Sequence, residues 1–433
     1  MRKIFDISGE KLAFCIVAII TIVGALFIRL YGLGEYNITS DEAWHLVVAS
    51  QKTLADLINY NFREEIHPPL SPIIWHFMLK ISDNEWWIRS ASYIPSVLIV
   101  PSIYIFGRLF IGKAAAFAMA MIAAFGLIPV ISGSVVRAYP LMVLALVWCG
   151  IFVHKYLKNH DIKYFLYYFL CMFAAMELSH AAALMAFTYG TLLMWGAYNK
   201  KLKGNFLVIT LAHIFLGICL VSYAYTLTYY NNFPTNLSNF DVFNGINEFL
   251  IISVLKFLIF CSRLVYVDSS PIVVVFVYLS VIISLYSFIK NKNWVLLHVV
   301  FSPVILVCIL DYFRVYIFSQ LPRNNLFMFT SAVAMMGCLV QFVCDYVLKF
   351  STFDKNPDTD SLNVIWRRKD IDIVQSLYIS LRRIFPICLK CRLNKTLILH
   401  LLIIIIPIGI TIFDYHQGSF REYKEADREF ELR

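Results

Sequence analysis

The chain predicts an all-α integral membrane protein, one bundle of about eleven spans, on three observations. Hydrophobic residues make up 60% of the 433 and charged residues only 15%, where a soluble domain carries about 25% charge. Mean hydropathy is +0.71. The apolar residues gather into runs of about 20, the length that crosses a bilayer core, with short basic stretches between them. Nothing divides the chain into separate folding units, so residues 1–433 read as a single polytopic domain.

The first run, Leu12 to Tyr31, reaches span length and lacks a small-residue cleavage site, which predicts a retained helix rather than a signal peptide. Residues 32–87 form the first outer loop, where Trp44, Trp75, Trp86 and Trp87 suit helices lying in the membrane interface. One of these is expected over Ser71 to Ile81. Spans follow at 88–108, 114–132, 137–154, 164–178, 180–198 and 205–226. A second outer loop, 227–270, includes an apolar segment with Glu248, Lys256 and Arg263. Those charges are costly in a bilayer core, so the segment predicts an interfacial or re-entrant helix. Spans resume at 271–289, 294–313 and 325–348, and a last one at 396–413 follows a basic cytoplasmic loop at 349–395.

Net charge is +9. The bases lie between apolar runs, so they report topology and not a nucleic-acid partner. Lys155/Lys158/Lys163, Lys200/Lys201/Lys203, Lys290/Lys292 and Arg367-Arg368-Lys369 all fall on one side if the N-terminus is cytoplasmic and the C-terminus outside. The loops 32–87, 132–137, 227–270 and 314–324 then share the opposite face. Most of the ten cysteines lie inside apolar runs, where a thiol is a small hydrophobe. Cys388 and Cys391 form a lone CxxC with no second pair or histidine cluster, which gives metal or redox use little support.

Chemistry-bearing residues concentrate on that non-cytoplasmic face. Thr39-Ser40-Asp41-Glu42 fits a capping box, which accounts for Glu42 better than for Asp41. An aspartate at a helix start beside the membrane is a candidate general base. His67-Pro68-Pro69-Leu70 forbids helix and imposes a stiff approach to the next one, with His67 a candidate substrate contact. Arg137, before Tyr139 and Pro140, and Arg323, in Pro322-Arg323-Asn324, sit at outer mouths of spans. Each is either a snorkelling arginine or a phosphate ligand, for which the guanidinium fork is well shaped. His180 is three residues after Glu177, so the two either satisfy each other or bind a ligand. Arg89, after Trp86-Trp87, reads as a helix-start anchor. Walker, dinucleotide-glycine, HExxH and GxSxG patterns are all missing from the sequence. An enzyme of this kind needs a substrate already activated by phosphate and delivered through lipid.

A first span, an Asp-Glu pair in the first outer loop and a downstream His-Pro-Pro-Leu together resemble the GT-C glycosyltransferases. The protein O-mannosyltransferases and the bacterial aminoarabinose transferases are the most similar branches. Arg89-Ser90-Ala91-Ser92, Arg137-Ala138-Tyr139-Pro140-Leu141 and Ser179-His180-Ala181 extend the resemblance over roughly 10–200, and Pro322-Arg323-Asn324-Asn325 echoes it later. The resemblance implies a GT-C fold and a polyprenyl-phosphate sugar donor entering from the bilayer. The acceptor would be a glycan, lipid or protein, and the site would face the exterior of a bacterial inner membrane. It implies Asp41 as the base, Glu42 as a supporting acid, and His67, Arg137, Tyr139, His180 and Arg323 as substrate-binding residues. Displacement would invert the anomeric centre. No cofactor is required, because guanidinium can replace a cation at the phosphate; a histidine–acid site for a divalent metal is the alternative. Asn324 departs from the tyrosine that often follows the late arginine in relatives. The rival readings are a flippase or transporter of lipid-linked glycans and a polysaccharide polymerase or ligase.

Overall fold

The computed structural model describes residues 19, 21–30, 38–64, 67–231, 257–258, 260–261, 271–312 and 326–353. Arg323, the loops at 314–324 and 349–395, the 396–413 span and nearly all of 227–270 lie outside the described residues. All regular structure among the described residues is helical. A short helix α1 (Thr21–Leu30) comes first. Three helices, α2 (Ser40–Ala49), α3 (Leu54–Glu64) and α4 (Leu70–Ile81), occupy the first loop. Ten longer or broken ones follow: α5 (Glu85–Phe110), α6 (Lys113–Phe125), α7 (Leu127–Ser134), α8 (Tyr139–Asn159), α9 (Ile162–Leu178), α10 (Ala182–Asn199), α11 (Lys203–Asn231), α12 (Pro271–Lys290), α13 (Trp294–Tyr312) and α14 (Phe329–Phe353).

Among the described residues, four helices are long and apolar enough to cross a membrane: Glu85–Phe110, Tyr139–Asn159, Gly204–Tyr223 and Leu326–Asp345. A fifth is gained if α6 and α7, bent 46° from each other, count as one broken span. The sequence reads 114–132 as a single helix, and the structure breaks it at Gly126 for a local reason. A continuous helix would press the ring of Pro129 into the carbonyl of Phe125 and leave one hydrogen bond unmade. The chain instead goes extended at Gly126 (φ −62°, ψ 143°) and restarts, with Pro129 in the first turn of α7. The carbonyls this exposes are satisfied from α1. Arg29 Nη1 and Nη2 donate to Ala124 O and Ala123 O at 2.7 Å each, and its Nε donates to Ser96 Oγ at 2.9 Å. A buried cation at a helix C-terminus also meets the negative end of the helix dipole.

The core of the bundle is α6, whose alanines Ala114, Ala115, Ala116, Ala118, Ala120, Ala123 and Ala124 are all buried between α5 and α14. Small side chains let backbones approach, which is how membrane helices gain packing energy without a hydrophobic drive from water. At Gly107 of α5 an added Cβ would stand 2.6 Å from the Cα of Ala116 and 2.9 Å from Met119 Sδ. The first neighbour is main chain and cannot swing aside. Gly107→Ala is therefore expected to destabilise by about 1–3 kcal/mol through overpacking. Thermal unfolding of the purified protein in detergent checks it. At the periphery, α11 turns Leu207, Leu211, Ile214, Ile218 and Val221 outward, a face that bilayer hydrocarbon would solvate.

The first loop packs as a small helical cluster. α2 and α3 contact each other and α4, α4 rests on α5, and α3 rests on α11. Trp44, Phe77, Trp86 and Trp87 are exposed, as interfacial aromatics should be. Trp75 differs from the interfacial expectation. It is fully buried and its indole N–H donates to Ile88 O at 3.1 Å, so it bolts α4 to α5.

Candidate active site

The site is assembled where α2 begins, α5 begins and α7 turns into α8. Thr39 caps α2 as the spacing predicts: Glu42 N–H donates to Thr39 Oγ1 at 3.3 Å, and Glu42 Oε2 accepts from the Thr39 N–H and hydroxyl at 2.9 Å each. The other carboxylate oxygen does more distant work. Glu42 Oε1 accepts from Arg89 Nη1 at 3.0 Å and from the Val136 N–H at 2.7 Å. Arg89 in turn donates Nε to Glu85 Oε1 at 2.8 Å and Nη1 to the Ser134 carbonyl. Glu42 is 1% exposed and Arg89 0%. Buried charges persist only when paired and hydrogen-bonded. This knot therefore ties the start of α2 to α5 and to the turn after α7.

Asp41 lies beside the knot and faces a second cation. Arg137 donates Nε to Asp41 Oδ2 at 3.1 Å, and its Nη2 reaches both Oδ1 and, at 3.0 Å, the Asp41 carbonyl. The Arg137 main chain is pinned by one side chain: Ser92 Oγ accepts its N–H at 3.3 Å and donates to its carbonyl at 2.9 Å. The pair is uneven, with the Arg137 side chain 6% exposed and that of Asp41 30%. Asp41 is thus the member that a molecule from outside can touch. A carboxylate held by a guanidinium at a loop–bundle junction can accept a proton once uncovered. The guanidinium can neutralise an oxyanion.

Two of the other sequence-predicted residues, His67 and His180, are brought together. His67 sits in the Pro-Pro turn before α4, and its carbonyl accepts from Asn61 Nδ2 at 3.0 Å and from the Tyr223 hydroxyl at 2.6 Å. His180, between α9 and α10, packs its ring on Tyr223 with centroids 4.2 Å apart. Tyr223 of α11 therefore brings His67 and His180 to one place. Tyr139 opens α8, half-buried against the core and two residues from Arg137. Arg323 is outside the described residues. Among the described residues no group of three or more His, Cys, Asp or Glu side chains could hold a metal ion.

His45, one turn beyond Asp41 on α2, went unassigned from sequence. It is fully buried, stacked edge-on against Trp75 at 5.1 Å, with Nε2 3.1 Å from Ser71 Oγ. Burial foremost, and the nearby His67 second, lower its pKa from 6.5 to about 3. The sign follows from linkage. Below 6.5 the unfolded chain takes up a proton that the native state refuses until about 3. Stability present above 6.5 is thus lost as pH falls through that window. His45→Asn is expected to flatten this acid loss, read from unfolding midpoints between pH 7 and pH 4.

Sequence reasoning also underrated Arg89, gave Ser92 no role beyond its place in the Arg89-Ser90-Ala91-Ser92 resemblance, and passed over Arg29 and Tyr223. The two arginines did carry a signal, a lone charge within an apolar run. Ser92 and Tyr223 carried none, because their partners are 45 and 156 residues away.

Residues 66–225 match the model of the dolichyl-phosphate-mannose-protein mannosyltransferase family. The matched stretch includes His67, Arg89, Arg137, Tyr139, His180 and Tyr223, and it begins after Asp41 and Glu42. The GT-C glycosyltransferase resemblance read from the sequence is borne out over that stretch. No curated protein matches the chain. Among solved structures, the oligosaccharyltransferase AglB from Archaeoglobus fulgidus, in complex with an inhibitory peptide and a dolichol-phosphate, is similar at 12% identity and a TM-score of 0.44. That similarity covers 90% of this chain and 55% of AglB, so the chain spans little more than half the length of that structure.

Proposed function

We propose that this protein is an inverting glycosyltransferase that moves one sugar from a polyprenyl-phosphate donor to an acceptor hydroxyl at the non-cytoplasmic face of its membrane. The observation that carries the reading is the Asp41–Arg137 pair, a base candidate and a phosphate-binding candidate within one hydrogen bond. The family match over 66–225, whose description names a dolichyl-phosphate sugar donor, supports the donor class.

In this reading the acceptor hydroxyl attacks the anomeric carbon from the side opposite the phosphate. Its proton passes to the Asp41 carboxylate as the new C–O bond forms. The bond from the anomeric carbon to the phosphate oxygen breaks, and the lipid leaves as a phosphate monoester. The phosphodiester carries one negative charge and the departing monoester two, so one charge develops at the leaving group. Arg137 is the described cation placed to offset it, and a preorganised charge there is usually the largest catalytic term. Arg323 is proposed as a second phosphate ligand. His67, Tyr139 and His180 are proposed as further substrate contacts. Glu42, saturated by Thr39, Arg89 and Val136, is a positioning residue that sets where Asp41 and Arg137 meet.

The test is release of radiolabel from a polyprenyl-phosphate sugar by the protein reconstituted in liposomes. Label appearing on an added acceptor or in water supports the transferase. Intact donor crossing the bilayer, with no label released, supports a transporter instead.

A further inference from the structure

We propose that Arg137 alternates between two anions, the Asp41 carboxylate in the resting protein and the donor phosphate during transfer, so that donor binding itself uncovers the base. This rests on the transferase reading and adds an order to it: donor first, acceptor second.

Both Asp41 oxygens are engaged by Arg137, one through Nε and one through Nη2. A carboxylate held at both oxygens by a guanidinium is stabilised in its charged form and is a weaker proton acceptor. The same Nε–Nη2 edge is the one that grips a phosphate in bidentate fashion. One guanidinium edge cannot grip Asp41 and a phosphate at once, and the carboxylate is a stronger proton acceptor once that edge lets go.

The surroundings allow one kind of opening. Ser92 holds the Arg137 main chain from both sides, and the capping box holds the main chain of Asp41 within the first turn of α2. Movement is thus confined to side-chain torsions about two fixed anchors. Glu42 is no substitute partner for Arg137, since its oxygens are spoken for by Arg89, Val136 and Thr39. An arriving phosphate is the group of matching charge and shape that can replace Asp41.

Charge bookkeeping then closes a cycle. After transfer Asp41 holds the acceptor's proton and is neutral, so it exerts no pull on Arg137, while the monoester dianion holds that guanidinium strongly. Loss of the proton to water restores the carboxylate. It reclaims Arg137 and helps expel the lipid phosphate. A protein without donor keeps its base paired with Arg137.

Competition of this kind has a counterintuitive consequence. Asp41→Asn removes the competing charge and leaves Arg137 held only by neutral acceptors, among them the residue-41 carbonyl, so it should bind lipid phosphate more tightly. The experiment measures dolichyl phosphate binding to wild type and Asp41→Asn in nanodiscs at neutral pH. Expected is a dissociation constant lower by about tenfold or more in the variant, the factor by which pairing depletes the competent state. Adding Arg137→Met should erase that gain. Equal or weaker binding by Asp41→Asn, with measurable wild-type binding, overturns the exchange and leaves the transferase reading standing. Absence of dolichyl phosphate binding in both proteins removes the donor reading and the exchange with it. If Asp41→Asn does not fold, Asp41→Ser makes the same comparison.

Discussion

Asp41→Asn is expected to lower sugar transfer by about 10²–10⁴-fold, the range that a positioned general base supplies. The amide keeps the size and much of the polarity of the carboxylate but cannot accept the acceptor's proton. Folding should survive. The amide oxygen still accepts a hydrogen bond from Arg137, and Asp41 itself is 30% exposed. The measurement is initial-rate release of label from the lipid donor, with unfolding temperature recorded on the same preparation. Undiminished release from a folded Asp41→Asn protein would take away the central assignment. Tighter lipid-phosphate binding alongside lost turnover would separate this residue from one that merely shapes the donor site.

Glu42→Ala is expected to act through stability. Removing that carboxylate leaves Arg89 buried with one acidic partner fewer, strips Val136 of its acceptor and opens the capping box. Breaking a buried pair from one side costs about 3–5 kcal/mol, with about 1 kcal/mol more for a lost N-cap interaction. A large fall in unfolding temperature should precede any kinetic comparison. Adding Arg89→Met should recover part of the loss, because the unpaired charge goes with it. A Glu42→Ala protein as stable as wild type but inactive would move Glu42 from positioning into the chemistry.

What could be read in advance followed from the range of the interactions. Helices α5 and α8 to α13 lie within a few residues of the apolar runs that announced them, since hydropathy acts along the chain. The capping box at Thr39 and Glu42 was legible because its partners are three residues apart. The turn at Pro68-Pro69 was legible because proline restricts its own backbone. The break at Gly126 lay in the same local class. Pro129 marked it, yet the apolar composition on both sides concealed a kink inside one run. Trp75 shows the opposite limit. A tryptophan near a bilayer is equally suited to interface or core, and only the carbonyl of Ile88 decided between them.

The sequence by itself determined the class, an all-helical membrane bundle, and the neighbourhood of the site, a polar loop with Asp41, Glu42 and His67. Those features follow from composition and short-range spacing. Only the tertiary structure decided that Arg137 meets Asp41 across 96 residues, that Arg89 locks Glu42 in place, and that Arg29 holds the broken end of α6. The reason is physical. A charge inside an apolar run must find a partner, and sequence shows that need, but the partner is whichever group the packing of helices brings within hydrogen-bond reach.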